Sequence, residues 1–430
     1  MDTDRLYEDV RYEIEDLKKA LLVGAYFPKM LETCQEYLEE LAALSDTYGF
    51  EVVAQVCCPI KKIDAGTYIG KGKLEELSIK AEELEADVII FDDEISPNQQ
   101  RNIETYFKKP VIDRTELILE IFAKRAQTKE ACLQIELAKS RYQLPRLKRL
   151  WTHLSRQSSG GGAYLKGEGE KQIEIDRRIV KDRIHKLTQD LEEVRKNRNI
   201  QRSKRLRTGV PTFAIVGYTN AGKSTLLNRM TAAGVLSEDK LFATLDTTTR
   251  KYNLPNHQEI LLIDTVGFIR KTPTTLIAAF KSTLEESLYT DILLHIIDVS
   301  NPLAEQQAEA TMQIIQELGV ENKPVITVLN KIDKCQDQTM IYRLKIKYPN
   351  TVSISALTGE GLEQLSSAMM ETLKTLRQIF HLRIPQSHYE LVSELMKEGR
   401  VISTEYEEND IMLTVDIPRR LEHKVREFEI

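Results

Sequence analysis

Short apolar runs alternate with longer amphipathic segments along two stretches of this 430-residue chain. Val325–Leu329 is typical of these runs, because it is rich in branched side chains and too short for a buried helix. Comparable runs are Val88–Phe91, Thr212–Val216 and Leu261–Ile263. Apolar runs of this length, each followed by a helix-like segment, indicate parallel strands covered by helices. The pattern therefore predicts an α/β protein with mostly parallel sheets.

Residues 1–112 predict a small α/β domain. We expect residues 1–46 to be mostly helical. The apolar stripe of that helical region is formed by Leu17, Leu21 and Leu22. The predicted strands are 51–58, 87–91 and 110–112. Ser96 and Pro97 predict a helix start, because serine can cap free N–H groups and proline is tolerated at the first helical position.

Residues 113–206 predict long helices. Apolar side chains recur every seven residues, at Ile173, Val180, Leu187 and Val194, with Ile184 and Leu191 between them. This spacing gives an a/d seam of about three heptads. We therefore expect a helical hairpin or an antiparallel coiled coil, and a monomeric protein, because the seam is short.

The last part of the chain, residues 378–430, predicts a small α+β domain. We expect a helix over Tyr389–Glu398 that is capped by Gly399. A hairpin is predicted from strands at 401–406 and 411–416. Its residues offer no obvious chemistry, so we expect it to support the preceding domain or to dock a partner.

The composition is that of a globular protein, with 41% hydrophobic and 29% charged residues. A net charge of −6 argues against a globally basic nucleic-acid binder. We expect no membrane span and no targeting peptide, because no apolar stretch is long enough and the first residues are polar. The five cysteines lack Cys-x-x-Cys spacing, which favours reduced thiols and a cytoplasmic protein.

A glycine loop between a predicted strand and a predicted helix is the most informative motif. Its residues are Gly217, Tyr218, Thr219, Asn220, Ala221, Gly222, Lys223 and Ser224. Loops of this kind cradle phosphates with backbone N–H groups at a helix N-terminus. We expect Lys223 to reach the β- and γ-phosphates and Ser224 to bind Mg²⁺.

Three further motifs follow in the order expected of a G domain. Asn330, Lys331, Ile332 and Asp333 end a strand, and Asp333 can accept two hydrogen bonds from guanine, for which adenine has no donors. Asp264, Thr265, Val266 and Gly267 match the switch that holds the Mg²⁺ shell and senses the γ-phosphate. Ser355, Ala356 and Leu357 match the final guanine loop. Residues 207–377 therefore predict a Ras-like G domain that binds GTP and GDP.

The first switch is predicted in a threonine-rich stretch. The residues expected at the nucleotide are Phe242, Ala243, Thr244, Leu245 and Asp246. We expect Thr244 to complete the Mg²⁺ shell, and Thr248 is the alternative.

Phe268 follows Gly267, where many GTPases have a glutamine that orients the attacking water. A phenyl ring cannot hydrogen-bond to water, so we expect slow hydrolysis by the protein alone. A partner or an ion would then supply the missing element. Asn220 makes K⁺ a candidate, because it resembles the asparagine of K⁺-activated GTPases.

A basic segment interrupts this acidic chain. Residues 137–167 contain no acidic side chain, and the cations and aromatic rings there suit RNA. These residues are Lys139, Arg141, Tyr142, Arg146, Lys148, Arg149, Trp151, His153, Arg156, Tyr164 and Lys166. A second run, Arg195–Arg207, has seven basic residues and no acid. A separate glycine-lysine loop, Gly70–Lys73, is a weaker candidate for a second nucleotide site.

The chain resembles the HflX family of ribosome-associated GTPases nearly from end to end. The strings that carry the resemblance are GTYIGKGKLEEL, SPNQQRNIE, DRTELILEIFAKRAQTKEACLQIELAKSRYQLPRL, GGGAYLKGEGEKQIEIDRR, GYTNAGKST, LFATLD, DTVGFI and NKID. The resemblance implies a cytosolic Mg²⁺-dependent GTPase that binds the large ribosomal subunit and its rRNA and separates stalled ribosomes. It also implies ATP binding by the N-terminal domain in some members.

The chain departs from the family pattern at several positions. Asp246-Thr247-Thr248 stands where the family usually has Asp-Pro-Thr, and the glycine loop continues with Ala163–Lys171 in place of a Gly-Thr-Arg type run. Two rival functions remain open from the sequence. One is an ATP-dependent RNA or ribosome remodeler, and the other is a regulatory GTP-binding adaptor. Peripheral association of this cytoplasmic protein with a membrane is a further alternative for its location.

Overall fold

The computed structural model describes residues 18–28, 30–147, 166–206, 210–231, 241–242, 245, 248–271, 290–320, 323–335, 337–407, 409–418 and 421–430. The chain divides into two compact units. The first unit comprises Met1–Val194, Asp239–Asp246 and Lys271–Lys281. The second comprises Arg195–Glu238, Thr247–Arg270 and Ser282–Ile430.

A four-stranded parallel sheet begins the first unit, with the strand order β2-β1-β3-β4. Its strands are β1 Lys19–Tyr26, β2 Glu51–Pro59, β3 Val88–Phe91 and β4 Val111–Asp113. Its helices are α1 Leu31–Tyr48, α2 Lys71–Glu83 and α3 Pro97–Phe107. The small parallel sheet predicted from the alternating pattern is confirmed.

The prediction that residues 1–46 are mostly helical is wrong for β1. Lys19–Tyr26 is a central strand of the sheet, and Ala20, Leu21, Leu22 and Val23 are fully buried. A strand buried on both faces has no alternation of apolar and polar residues, so a short apolar run also fits a helix. Leu17 lies outside the described residues.

Helix α3 begins as the sequence predicted. The Ser96 side chain accepts a hydrogen bond from Gln99 N, and Gln99 Oε1 accepts one from Ser96 N at 2.9 Å. This reciprocal capping box satisfies two N–H groups that a helix start leaves free. Pro97 occupies the first helical position, where its missing N–H has no cost.

Long helices follow β4 and confirm the predicted hairpin. They are α4 Arg114–Arg125, α5 Lys129–Gln143 and α6 Lys166–Leu206, with a 3₁₀ turn at Leu144–Arg146. Leu187 and Leu191 of α6 form a buried cluster with Leu137 of α5. Leu187 and Leu191 of the heptad seam therefore face a neighbouring helix of the same chain.

The second unit contains a six-stranded sheet with the order β10-β9-β8-β5-β7-β6. All neighbours are parallel except β6 and β7, which are antiparallel. The strands are β5 Thr212–Gly217, β6 Thr248–Asn253, β7 Glu259–Asp264, β8 Ile292–Asp298, β9 Val325–Asn330 and β10 Thr351–Ser353. The described helices are α7 Lys223–Thr231, α8 Ala304–Glu317, α9 Gln338–Lys347 and α10 Leu362–Thr375. The predicted G-domain fold with a mostly parallel sheet is confirmed.

A three-stranded antiparallel sheet with the order β11-β13-β12 follows α10. Its elements are β11 Arg377–Pro385, α11 Tyr389–Glu398, β12 Arg400–Glu407, β13 Asp410–Pro418 and α12 Glu422–Val425. The predicted helix and hairpin are confirmed, whereas β11 was not predicted as a strand. The division into domains 1–112, 113–206, 207–377 and 378–430 stays a prediction.

Within the described part of the chain, no helix is both long enough and apolar enough to cross a membrane.

A buried histidine in β8 makes the stability of the second unit depend on pH. His295 is 1% exposed, and its Nδ1 has no hydrogen-bond partner among the described residues. Its ring packs edge-on against Tyr348, with the centroids 5.7 Å apart. Burial lowers the pKa of His295 from 6.5 to about 4, because the charged ring would lose its hydration.

We expect acid to destabilise the wild-type protein more than a His295→Phe variant. Between pH 6.5 and 4 the unfolded chain binds a proton at His295 that the folded state does not. The free energy of unfolding therefore falls with decreasing pH, by about 2 kcal/mol at pH 5. The phenyl ring retains the packing against Tyr348 but cannot titrate. Thermal unfolding at pH 7 and pH 5 measures the difference, and equal pH responses of the two proteins would contradict the burial of a neutral imidazole.

Candidate functional site

Close backbone approaches require the two glycines of the phosphate loop. A Cβ on Gly217 would lie 2.4 Å from the carbonyl oxygen of Ile296 in β8. Gly222 has φ of +91°, and a Cβ there would lie 2.2 Å from Asn330 Nδ2. Larger residues would collide at both positions, so the loop can follow this path only with glycine.

Lys223 begins α7 with its ammonium group inside the loop. Its Nζ donates hydrogen bonds to the carbonyl oxygens of Gly217 at 3.2 Å and Tyr218 at 2.7 Å. Burial lowers the pKa of Lys223 to about 8, and the nearby Asp264 carboxylate opposes this shift. A phosphate group would replace the carbonyls as the partner of this buried cation and would stabilise its charge.

Ser224 and Asp264 place two hard oxygen ligands together. Ser224 Oγ donates to Asp264 Oδ2 at 2.7 Å, and Asp264 is fully buried at the end of β7. No group of three or more His, Cys, Asp or Glu that could hold a metal ion occurs among the described residues. Mg²⁺ at phosphates needs only one or two protein oxygens beside phosphate and water, so this pair fits Mg²⁺.

The segment after Asp264 is fixed to the phosphate loop by backbone hydrogen bonds. Phe268 N donates to Gly217 O at 3.1 Å, and Thr219 N donates to Phe268 O at 2.7 Å. Phe268 is 5% exposed. A Cβ on Gly267 would lie 2.8 Å from the Thr219 Cα and 2.9 Å from Lys223 Nζ. The backbone at Gly267 therefore lies directly beside the lysine ammonium.

The two residues between Asp264 and Gly267 support this position. Thr265 is fully buried, and its hydroxyl donates to the carbonyl oxygen of Ile215 in β5 at 2.7 Å. Val266 is also buried. The Thr265 hydrogen bond therefore holds the residue after β7 against β5.

Asn330 connects the phosphate loop to the last predicted guanine loop. Its Nδ2 donates to Ala221 O at 2.8 Å, and its Oδ1 accepts from Ala356 N at 2.9 Å. The side chain is 1% exposed, so both bonds are sheltered from water. This one buried amide therefore holds the two loops together.

In the predicted final guanine loop, the Ala356 N–H donates to the Asn330 side chain. Ser355 is buried, whereas Leu357, two residues later, is 67% exposed. The guanine contact of this loop therefore stays a prediction.

The remaining residues of the Asn330 motif follow the end of β9. Lys331 Nζ forms an ion pair with Asp298 Oδ2 at 2.7 Å, and Ile332 N donates to Ile354 O. Asp333 is exposed, with its carboxylate accessible to a ligand. Asn220 of the phosphate loop is also exposed and has φ of +58°.

Two residues of the predicted first switch are described, and both are buried in the first unit. The Phe242 ring packs on Phe122 of α4, with the centroids 4.5 Å apart, and its carbonyl accepts from Arg125 at 3.0 Å. Leu245 is 4% exposed. Ala243, Thr244 and Asp246 lie outside the described residues.

The alternative magnesium residue, Thr248, belongs to the second unit. It is the first residue of β6, and it is paired with Asp264 in the sheet register. Thr248 is therefore close to the aspartate that is expected to hold the magnesium shell. The pairing of these two residues could not be seen in the sequence.

A set of charged contacts surrounds Lys271 and was not predicted from the sequence. Its Nζ pairs with Asp92 at 3.4 Å and with the neighbouring Asp93. Asp92 also pairs with Arg114 of α4 at 3.1 Å, and Arg114 binds Glu40. Asp92 and Asp93 come directly after the buried strand β3. Their position at the carboxyl end of a parallel strand is the sequence signal that could have indicated these contacts.

The expectation that Arg146 contacts RNA is wrong for this structure. Arg146 is 6% exposed, and its guanidinium pairs with Asp113 at 3.4 Å and donates to Ile95 O at 2.7 Å. Tyr142 is also buried, and Lys139 pairs with Glu120 at 2.7 Å. Sequence counting could not distinguish cations that pair internally from solvated ones. The basic residues between Lys148 and Tyr164 lie outside the described residues.

The Gly70–Lys73 loop provides no direct support for a second nucleotide site. Helix α2 begins at Lys71 without a side-chain cap at Gly70, and Lys73 pairs with Glu76 at 2.6 Å. A Cβ on Gly70 or Gly72 would meet nothing within 4 Å. Close packing therefore does not require these two glycines, and the site stays a prediction.

Models of three protein domains match most of the chain. Residues 35–123 match a GTP-binding GTPase N-terminal domain, residues 125–205 a GTP-binding GTPase middle region, and residues 212–331 a 50S ribosome-binding GTPase. Whole-length relatives include GTPase HflX of Chlamydia pneumoniae, 48% identical over 98% of this chain and 90% of the relative. GTPase HflX of Escherichia coli is 41% identical over 93% and 94%.

Among solved structures, a GTP-binding protein from Sulfolobus solfataricus in complex with GDP is similar to the chain. It is 29% identical and matches 84% of this chain and 100% of that chain, with a TM-score of 0.44. The family rests on the relatives and the domain models. The phosphate loop, the ordered guanine motifs and these full-length identities lead to one conclusion: the chain belongs to the HflX family of GTPases and is an enzyme that hydrolyses GTP.

Proposed function

We propose that this GTPase binds the large ribosomal subunit in its GTP form and separates stalled or stress-arrested ribosomes in the cytoplasm. The observation that carries the proposal is the match of residues 212–331 to a 50S ribosome-binding GTPase, within a chain that matches HflX relatives along its whole length. Contact with rRNA through the basic residues at 148–166 is part of the proposal.

In this proposal the phosphate loop holds the triphosphate. The Lys223 ammonium binds β- and γ-phosphate oxygens, and the Gly267 N–H beside it meets the γ-phosphate. Ser224, Asp264 and Thr244 would hold Mg²⁺, which neutralises charge on the phosphates when bound. Asp333 binds the guanine edge, and Asn330 holds the guanine loops against the phosphate loop.

The buried ring of Phe268 leaves hydrolysis without the usual water-orienting side chain. We therefore expect the ribosome to complete the catalytic arrangement. Asn220 remains a candidate ligand for K⁺, because it lies exposed in the phosphate loop.

Contacts in the first unit offer a route from nucleotide to ribosome. Phe242 precedes Thr244 by two residues and packs on α4, and Lys271 follows Gly267 by four residues and pairs with Asp92 and Asp93. Both predicted switch segments thus adjoin residues held by the N-terminal sheet and α4. A γ-phosphate that moves either segment would change these contacts.

Asp333→Asn is expected to exchange guanine for xanthine specificity. The carboxylate accepts from guanine N1–H and the 2-amino group, whereas an amide can accept from N1–H and donate to the xanthine 2-carbonyl. We expect GTP affinity to fall by about 100-fold and xanthosine triphosphate affinity to rise. Equilibrium binding measures both. Asp337→Asn, the same change four residues later, should alter neither, and unchanged GTP binding by Asp333→Asn would refute the role of Asp333.

Sedimentation with purified large ribosomal subunits tests the proposed partner. The full chain should cosediment with a non-hydrolysable GTP analogue and not with GDP, and rising salt should release it as counterions compete for rRNA phosphates. Lys148→Glu with Arg149→Glu should weaken binding by about 10-fold or more at fixed salt. Lys345→Glu with Lys374→Glu is the matched control of equal charge.

The outcome also separates the rival functions. Binding to free RNA that depends on ATP, without binding to the large subunit, would favour a remodeler that acts through the N-terminal domain. Absence of binding to either would favour a GTP-binding adaptor.

Lys271→Glu is expected to uncouple ribosome binding from the nucleotide. The substitution puts a carboxylate against Asp92 and Asp93, so the contact is lost by repulsion. The ratio of large-subunit affinities with GTP analogue and with GDP should fall by about 10-fold, the size of a typical coupling. Charge reversal in Lys271→Asp with Asp93→Lys should restore part of the ratio.

Lys251→Glu serves as the control, because Lys251 also forms an exposed pair, with Glu259 at 2.9 Å. An unchanged ratio in Lys271→Glu, with nucleotide affinities equal to wild type, would exclude this contact from the coupling.

A further inference from the structure

A buried hydroxyl in the phosphate loop has no partner within the described residues. Thr219 is 6% exposed, and its Oγ1 is buried without a hydrogen bond. A hydroxyl that has lost its hydration and gained no partner is unfavourable for the folded protein. Such a group in a binding loop indicates that a ligand supplies the missing hydrogen-bond partner.

The surroundings of Thr219 show which part of a ligand it would meet. A Cβ built on Gly267 lies 2.8 Å from both Cα and Cγ2 of Thr219 and 2.9 Å from Lys223 Nζ. Three groups therefore meet at one point: the Thr219 side chain, the Gly267 backbone and the lysine ammonium. In the proposed function, the last two bind the γ-phosphoryl group.

The backbone at Thr219 cannot serve this purpose. Its N–H donates to Phe268 O at 2.7 Å, and the preceding carbonyl, of Tyr218, accepts from Lys223. The carbonyl of Thr219 can only accept, so the hydroxyl is the remaining group of this residue that can donate to a phosphate oxygen. It offers one donor and two acceptor lone pairs, so it can contact two partners at once.

We propose that Thr219 is a further catalytic residue, whose hydroxyl donates to a γ-phosphoryl oxygen and accepts from the attacking water. The Thr219 hydroxyl would thereby help to orient the attacking water, which the Phe268 ring cannot do. The inference rests on the proposed placement of the γ-phosphoryl group between Lys223 and Gly267.

Hydrolysis requires no net transfer of a proton to or from the Thr219 hydroxyl. The water oxygen bonds to the γ-phosphorus, and the bond to the bridging oxygen breaks with its electron pair on GDP. One water proton stays on the phosphate formed, and the other is released to solvent. The hydroxyl orients the water and stabilises charge on the γ-phosphoryl oxygens in the transition state.

Two substitutions separate a hydroxyl function from packing. Thr219→Val retains the branched shape and the methyl group beside Gly267 but has no hydroxyl. Thr219→Ser retains the hydroxyl but has no methyl group. Single-turnover hydrolysis of GTP by the full chain, together with equilibrium affinities for GTP and GDP, measures both variants.

We expect Thr219→Val to hydrolyse GTP about 10- to 100-fold more slowly than wild type, with nucleotide affinities within about threefold. Thr219→Ser should hydrolyse at close to the wild-type rate. Binding of GDP with aluminium fluoride should weaken in Thr219→Val, because that complex resembles the transition state.

Wild-type hydrolysis by Thr219→Val would overturn the inference, and so would a slow Thr219→Ser variant. A loss of GTP affinity as large as the loss of rate would make Thr219 a binding residue only. Lys223→Ala is measured in parallel. If it hydrolyses normally, the placement of the phosphates is wrong and both proposals fall. If it is inactive while Thr219→Val is normal, only the catalytic role of Thr219 falls.

Discussion

The amide side chain of Asn330 holds the nucleotide site together. It donates to the phosphate loop at Ala221 and accepts from Ala356, so two loops that are far apart in sequence share one buried group. The same amide lies against Gly222, where any side chain would collide with it. Satisfied polar groups that are sheltered from water fix one geometry, because an unpaired alternative is costly. The phosphate-binding and guanine-binding residues therefore depend on the same contact.

A second polar network joins two of the sequence strings that carry the family resemblance. Arg146 donates to Gln100 Oε1 and pairs with Asp113, which also accepts from Ile95 N and caps α4. These residues come from SPNQQRNIE and from the long string that begins at Asp113. Removing one partner of a buried ion pair costs about 3–5 kcal/mol, so the strings are constrained by the core as well as by any partner.

Helix α4 connects this network to the predicted switch segments. Arg114 at its start holds Asp92, which pairs with Lys271, and Phe122 and Arg125 near its end contact Phe242. The helix thus contacts Phe242 directly and is linked to Lys271 through Asp92. A helix buried along much of its length moves as a unit, so a displacement of one end also moves the contacts at the other end.

The sequence by itself determined the parallel sheets, the helical hairpin, the helix start at Ser96 and the order of the nucleotide motifs, because these follow from local periodicity and short-range hydrogen bonding. It could not assign β1, whose continuous apolar run fits a helix equally well. It also could not predict that Arg146 turns inward, because the sequence does not distinguish a solvated basic side chain from one in a buried ion pair. Only the tertiary structure brought Ala356 to Asn330, Lys271 to Asp92, and Thr219 to Gly267 and Lys223. Contacts between distant residues depend on how the elements pack, and packing has no signature in the local pattern.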